Sequence, residues 1–250
     1  MPGGEPGPAA SRRPMARGPR PVLPQIPHHV VARGVNHQPL FLSGYEKARY
    51  LKRLARIAEE TGVEVHAYCL LNDEIRLLLT PTRPDSLARF FHRLHTHWAL
   101  RFNHAHDRSG HLFEDRFHSS PLDPPHSLAA LRFVEVQPRR LQQVERLEEW
   151  EYSSAKAHLR GEEDALVRLA TEVYRQIGAA AWREFLAGSD RGAEERLERA
   201  LPGNRACGSP EWLAEMAQRC GHRLSWGPPG RDRRRLVSRP VAHTALATAH

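Results

Sequence analysis

Apolar and polar positions alternate between two rhythms along this chain, and the switches between them mark its elements. The run QIPHHVVAR, from Gln25 to Arg33, reads as a first strand ending at Gly34. Gly44 to Glu60 has Tyr50, Leu51, Leu54, Ile57 and Ala58 at three- and four-residue spacing, which predicts an amphipathic helix closed by Gly62. VEVHAYCLL (Val63 to Leu71) is a second strand. The short polar turn Asn72–Asp73 joins it to a third, Glu74 to Thr80, stopped by Pro81, so the two form a hairpin. Asp85 or Ser86 caps a second helix running to about His106, with Leu87, Phe90, Phe91, Leu94, Trp98 and Phe102 inward.

Ser109–Gly110 breaks that helix, and His111 to Ser119 reads as a fourth strand or extended loop. After Pro124 and Pro125 a third helix runs from about Ser127 to Val136 and meets Pro138. The order β-α-β-β-α-β-α predicts an α+β fold: a ferredoxin-like antiparallel sheet with helices on one face. Beyond Trp150 shorter helices follow, over 166–178, 182–186, 194–200 and 211–220. The expected organisation is a disordered basic arm (1–20), the ferredoxin-like domain (21–157), a helical C-terminal region (158–226) and a disordered basic tail (227–250).

Charge adds a partner class to this outline. The net charge is +8 with a pI near 10.0, and of 37 basic residues only Lys47, Lys52 and Lys156 are lysines. Guanidinium groups match phosphate geometry, so the excess favours nucleic acid, although GC-rich codon usage accounts for much of the Arg-to-Lys ratio. Cys69, Cys207 and Cys220 are too scattered for a disulfide framework or a cysteine-rich zinc site and are read as reduced, in a cytoplasmic protein. No apolar run approaches the roughly 20 residues of a membrane span.

The words inside the elements are more specific. HHVVARGVNHQPLF, VHAYCLL, LLLTP, SLARFFHRLHTHWALRFN, RSGHLFEDRF, LRFVEVQP and YSSAKAHLRG occur in this order, from about Pro24 to Gly161, with a weaker continuation from Pro202 to Met216. Together they resemble the REP-associated tyrosine transposases, of the insertion-sequence-200-type, single-tyrosine HUH group. The resemblance implies a domain that recognises imperfect DNA hairpins and cuts single strands beside them. In active members a tyrosine attacks the phosphodiester and is left as a 5′-phosphotyrosine. Magnesium or manganese, held by a His-hydrophobe-His strand and a polar residue four after the tyrosine, polarises the phosphate.

Carried over residue by residue, that chemistry fails twice. The metal strand matches Asp73-Glu74-Ile75-Arg76-Leu77-Leu78, so Glu74 and Arg76 replace the two histidines. A carboxylate can hold magnesium, but a guanidinium has no lone pair to offer. The nucleophile helix matches Arg132-Phe133-Val134-Glu135-Val136-Gln137-Pro138. Gln137 keeps the ligand type, while Phe133 lacks the attacking hydroxyl. Tyr45, Tyr50, Tyr68, Tyr152 and Tyr174 are not positioned by the motif. His95-Thr96-His97 has the right letters but lies on a helix, where residues two apart diverge by about 200°. His28 and His29 point to opposite faces of the first strand, so at most one reaches the site.

What remains suits DNA binding. Arg33, Arg76, Arg93, Arg101, Arg116 and Arg132 are the candidate DNA contacts, with Arg89, Arg108, Arg139, Arg140 and the Arg231-to-Arg235 cluster extending the positive charge. Arg76 stands either as a phosphate clamp or in an ion pair with Glu74. His111, Phe113 and Trp98 offer rings for base stacking, with burial in the core favoured for the last two. The expected protein binds single-stranded or hairpin DNA without catalysis, needs no cofactor, and has a homodimer as a further possible assembly. A nuclease with a rebuilt metal site and a dimer-forming regulator of an active relative are the competing readings.

Overall fold

The computed structural model describes residues 22–162, 164–167 and 172–220, without the side chains of 172–177 and 179. The expected basic arm, the tail with its Arg231-to-Arg235 cluster, and the start of the helix expected at 166 lie wholly or partly outside these residues. Four strands, β1 (His28–Arg33), β2 (Val63–Leu70), β3 (Glu74–Pro81) and β4 (His118–Pro121), form one sheet in the order β2-β3-β1-β4, antiparallel throughout. The intervening helices are α1 (Gly44–Thr61) and α2 (Ser86–Ala105). Then come α3 (Pro124–Glu135), the short α4 (Gln137–Arg140) and α5 (Ala155–Arg160). The chain continues with α6 (Glu172–Ala187), α7 (Arg191–Ala200) and α8 (Pro210–Cys220). The expected α+β, ferredoxin-like order is therefore the fold.

Local chemistry accounts for the boundaries. Ser43 caps α1 by accepting from the Glu46 amide, and Gly62 ends it with φ 66°, a left-handed conformation that favours glycine. Asp123 caps α3 by accepting from the His126 amide. That cap starts the helix at the double proline, earlier than the expected Ser127, because proline is tolerated where amides have no helical partner. The fourth strand occupies 118–121 instead of 111–119. Residues before it serve the core: Phe117 stacks on Phe91 with centroids 4.0 Å apart, and Phe113 on His95 at 3.9 Å. Of the helices expected over 166–178 and 182–186, the described part is α6, in which Gly178, with φ 73°, leaves the helical conformation at the expected break.

The helices do not share one face. α1 and α2 cover one side, burying Tyr50, Leu54, Phe90, Leu94 and Trp98 against Val30, Leu77 and Leu79. On the other side α3, with residues of α6 and α7, buries Phe133, Trp182 and Leu197 against Ala67, Cys69 and Leu78. A bulge between Val65 and Ala67 in β2 redistributes that strand's side chains: it sends Val65 to the first core and Ala67 to the second, although strict alternation would align them. Among the described residues, no helix is long and apolar enough to cross a membrane.

Candidate functional site

The register of β1 against β3 pairs His29 with Leu78, Val31 with Arg76 and Arg33 with Glu74. Alternation then turns His29, Arg33, Glu74 and Arg76 toward the α3 side of the sheet. There the Glu74 carboxylate accepts from Nε of both Arg33 and Arg76, in a triad whose side chains are only 14%, 12% and 8% exposed for Arg33, Glu74 and Arg76. Burial by itself would raise the Glu74 carboxyl, but the charges and hydrogen bonds of Arg76 and Arg33 outweigh it and hold it below the ordinary range. Of the two arrangements open to Arg76, the ion pair is the one found. Its Nη1 is left buried without a hydrogen-bond partner.

The residues assigned to the metal and to the nucleophile meet. Phe133 is fully buried, with the guanidinium carbon of Arg76 4.9 Å from its ring centre and that of Arg140 4.8 Å away. Gln137, one helical turn on, is itself buried and donates from Nε2 to the Phe133 carbonyl at 2.8 Å. His29 presents its imidazole edge-on to the Phe133 ring at 5.9 Å, with neither ring nitrogen hydrogen-bonded. Burial, reinforced by the Arg76 charge, pushes its pKa down to about 3, so the ring is neutral.

These residues do not fit a divalent cation. Both Glu74 oxygens are engaged by guanidinium groups, and Arg76 supplies positive charge where a ligand would be needed. Among the described residues no three His, Cys, Asp or Glu side chains gather as a metal-holding group. The His95-Thr96-His97 pair diverges as its helical spacing requires. His95 packs on Phe91 and Phe113, while His97 faces the charges of Arg53, Arg101 and Arg49. Trp98 is core, donating from its indole to the Leu40 carbonyl at 3.0 Å.

The candidate DNA-contacting arginines do not form one surface. Arg33 and Arg76 are consumed by the triad, Arg93 pairs with Glu60, and Arg132 lies 5.4 Å from the Phe185 ring of α6. Arg101 and Arg116 remain exposed. Sequence reasoning gave Arg140 only a place in the diffuse charge, because its approach to Phe133 depends on the turn into α4 and on Glu194 of α7, with which it pairs.

It also missed a wholly buried network beside the site. Glu135 accepts from Ser154 Oγ at 2.5 Å, from Trp182 Nε1 at 3.1 Å and from His158 Nδ1. The signal was available in retrospect, since a glutamate on the apolar face of a helix requires donors. The network joins LRFVEVQP to YSSAKAHLRG and fastens α6 to α3.

No family model matches the chain, and no curated protein does. Among solved structures it is similar to the REP-associated tyrosine transposase bound to a REP hairpin. That match has a TM-score of 0.49 and 12% identity, over 62% of this chain and 92% of the other.

Proposed function

We propose that this chain is a disarmed relative of the REP-associated tyrosine transposases, one that binds hairpin DNA bearing a single-stranded flank and does not cut it. One observation carries the reading. Residues of β3 and of the α3–α4 segment, which the sequence resemblance assigns to a single active site, lie together around Phe133, and a phenyl ring beside a guanidinium group lacks the atoms for the transfer. A phenyl ring has no oxygen to attack phosphorus, and the guanidinium groups against it stand where a cation would be held. A nuclease with a rebuilt metal site would need the Glu74 oxygens that Arg33 and Arg76 already occupy.

The test is a titration of labelled hairpin with a single-stranded flank against random duplex, across salt concentrations, followed by incubation with manganese. Tighter binding of the hairpin, weakening steeply with salt, and no covalent adduct are expected. Equal affinity for random duplex would remove the recognition half of the proposal. A protein–DNA adduct would remove the catalytic half.

A further inference from the structure

The two helices on the opposite side of the sheet from Phe133 run antiparallel, and their exposed edges meet as a ladder. At its ends the rungs are complementary: His106 lies 2.6 Å from Glu46, and Arg93 pairs with Glu60. Between them the rungs carry basic side chains and no acid. α2 has no acidic residue from Ser86 to Ala105, and α1 has none between Glu46 and Glu59. Tyr45, Arg49 and Arg53 form an i, i+4, i+8 stripe on α1, facing Arg101 and His97 on α2. The proximity registers chemically. The Arg49 hydrogen bond, with the Arg49 and Arg101 charges, lowers the Tyr45 phenol, and burial together with Arg53, Arg101 and Arg49 lowers the His97 imidazole.

Two further features mark this face as unfinished. Arg53 Nε is buried without a hydrogen-bond partner. Of the four exposed large hydrophobic side chains among the described residues, Leu42, Tyr45 and Leu100 (57%, 65% and 70% exposed) belong to α1, its approach or α2. The Arg49 guanidinium holds the Tyr45 ring, donating to its hydroxyl at 2.7 Å with its carbon 5.5 Å from the ring centre. An array of cations beside a presented aromatic face complements a phosphate backbone with unpaired bases. Duplex DNA hides its base faces, so a single strand fits better. Helical rise spaces the α1 stripe by about 6 Å per step, letting successive side chains follow an extended backbone.

We propose that the exposed face of α1 and α2 docks a single strand of DNA, with Arg49, Arg53 and Arg101 on phosphates and the Tyr45 ring stacked on a base. The proposal rests on the DNA-binding function above and adds a second surface, across the sheet from the disarmed centre. It also explains why no acid faces Arg49, Arg53 and Arg101 between the end rungs, because bound phosphate supplies the counter-charge that the protein omits.

Fluorescence anisotropy with a labelled single-stranded oligonucleotide tests it, comparing the full chain with Arg49→Ala/Arg53→Ala/Arg101→Ala and with Tyr45→Ala. The triple variant should bind at least tenfold more weakly. Its slope of log affinity against log salt should be shallower by about 2, since each phosphate that an arginine neutralises adds roughly 0.7 on a single strand. Tyr45→Ala should weaken binding about tenfold with little change in that slope. Because the arginines repel one another, the triple variant should also melt at a higher temperature, which distinguishes a weakened DNA interface from a failure to fold. If the unmodified chain binds DNA and the triple variant binds it equally well, this surface is wrong while the DNA-binding function stands. If the unmodified chain binds no DNA, both fall. Equal affinity for polyglutamate of matched charge assigns the face to an acidic protein and overturns the inference.

Discussion

The guanidinium carbon of Arg76 lies 4.9 Å from the centre of the Phe133 ring, so the residue proposed for the metal position rests on the residue proposed for the nucleophile position. This contact makes the two replacements interdependent. Restoring the hydroxyl alone, in Phe133→Tyr, leaves the Arg76 charge where a cation would have to sit. We therefore expect no covalent adduct between Phe133→Tyr and a single-stranded substrate with manganese, by denaturing gel. Adduct formation by this single variant would show that Arg76 does not block the site.

Glu74 is the counter-charge for two buried guanidinium groups, and its removal strands both. Glu74→Ala should lose about 3–5 kcal/mol of stability, measured by urea unfolding. Replacing the whole triad with apolar residues, in Arg33→Met/Glu74→Leu/Arg76→Met, should recover most of that loss, because no charge then remains buried. A mild effect of Glu74→Ala would mean that water reaches the triad.

Two neutral histidines make the fold acid-sensitive. Burial holds His29, near Arg76, Glu74 and Arg33, and also His95, at a pKa of about 3 against an ordinary 6.5. The unfolded chain therefore takes up protons first as pH falls. Stability should be full above about pH 6.5 and decline from there toward pH 3, by an order of several kcal/mol for the pair at roughly 1.4 kcal/mol per unit. Melting temperature against pH should be flatter in His29→Leu/His95→Leu; an unchanged profile would place the acid sensitivity elsewhere.

Glu135 accepts hydrogen bonds from three side chains, and one of them, Trp182, belongs to α6. Glu135→Ala should destabilise the protein by about 3 kcal/mol or more, since the buried donors lose their acceptor. It should also speed amide exchange in α6 more than in α1. Uniform acceleration across both helices would show that the network does not fasten this segment in particular.

The periodic elements were legible because burial imposes them locally. The α1 pattern from Tyr50 to Ala58 gave the helix within a residue of its end, and Gly62 marked its stop. The same held for Phe90, Leu94 and Trp98 in α2. Of the fourth strand or extended loop expected over 111–119, the strand begins only at His118, because Phe113 and Phe117 have strand-like residue types yet stack on His95 and Phe91 across the chain. Motif order alone proposes Glu74, Arg76 and Phe133 as departures and Gln137 as the position that keeps the motif's residue type. The Arg33–Glu74 bond and the approach of Arg140 to Phe133 were not, because strand register and the α4 turn decide them.

By itself the sequence determined the order of elements, the absence of a phenol at 133 and the excess of positive charge, since these depend on residue type and on spacing within one helix or strand. Tertiary structure decided where the charge acts. It buried Arg33 and Arg76 around Glu74, spent Arg93 on Glu60, and brought Arg49, Arg53 and Arg101 together on one face. A side chain's charge is intrinsic, but its neighbours, and hence whether that charge is neutralised within the protein or left for a ligand, are set by which helices pack side by side.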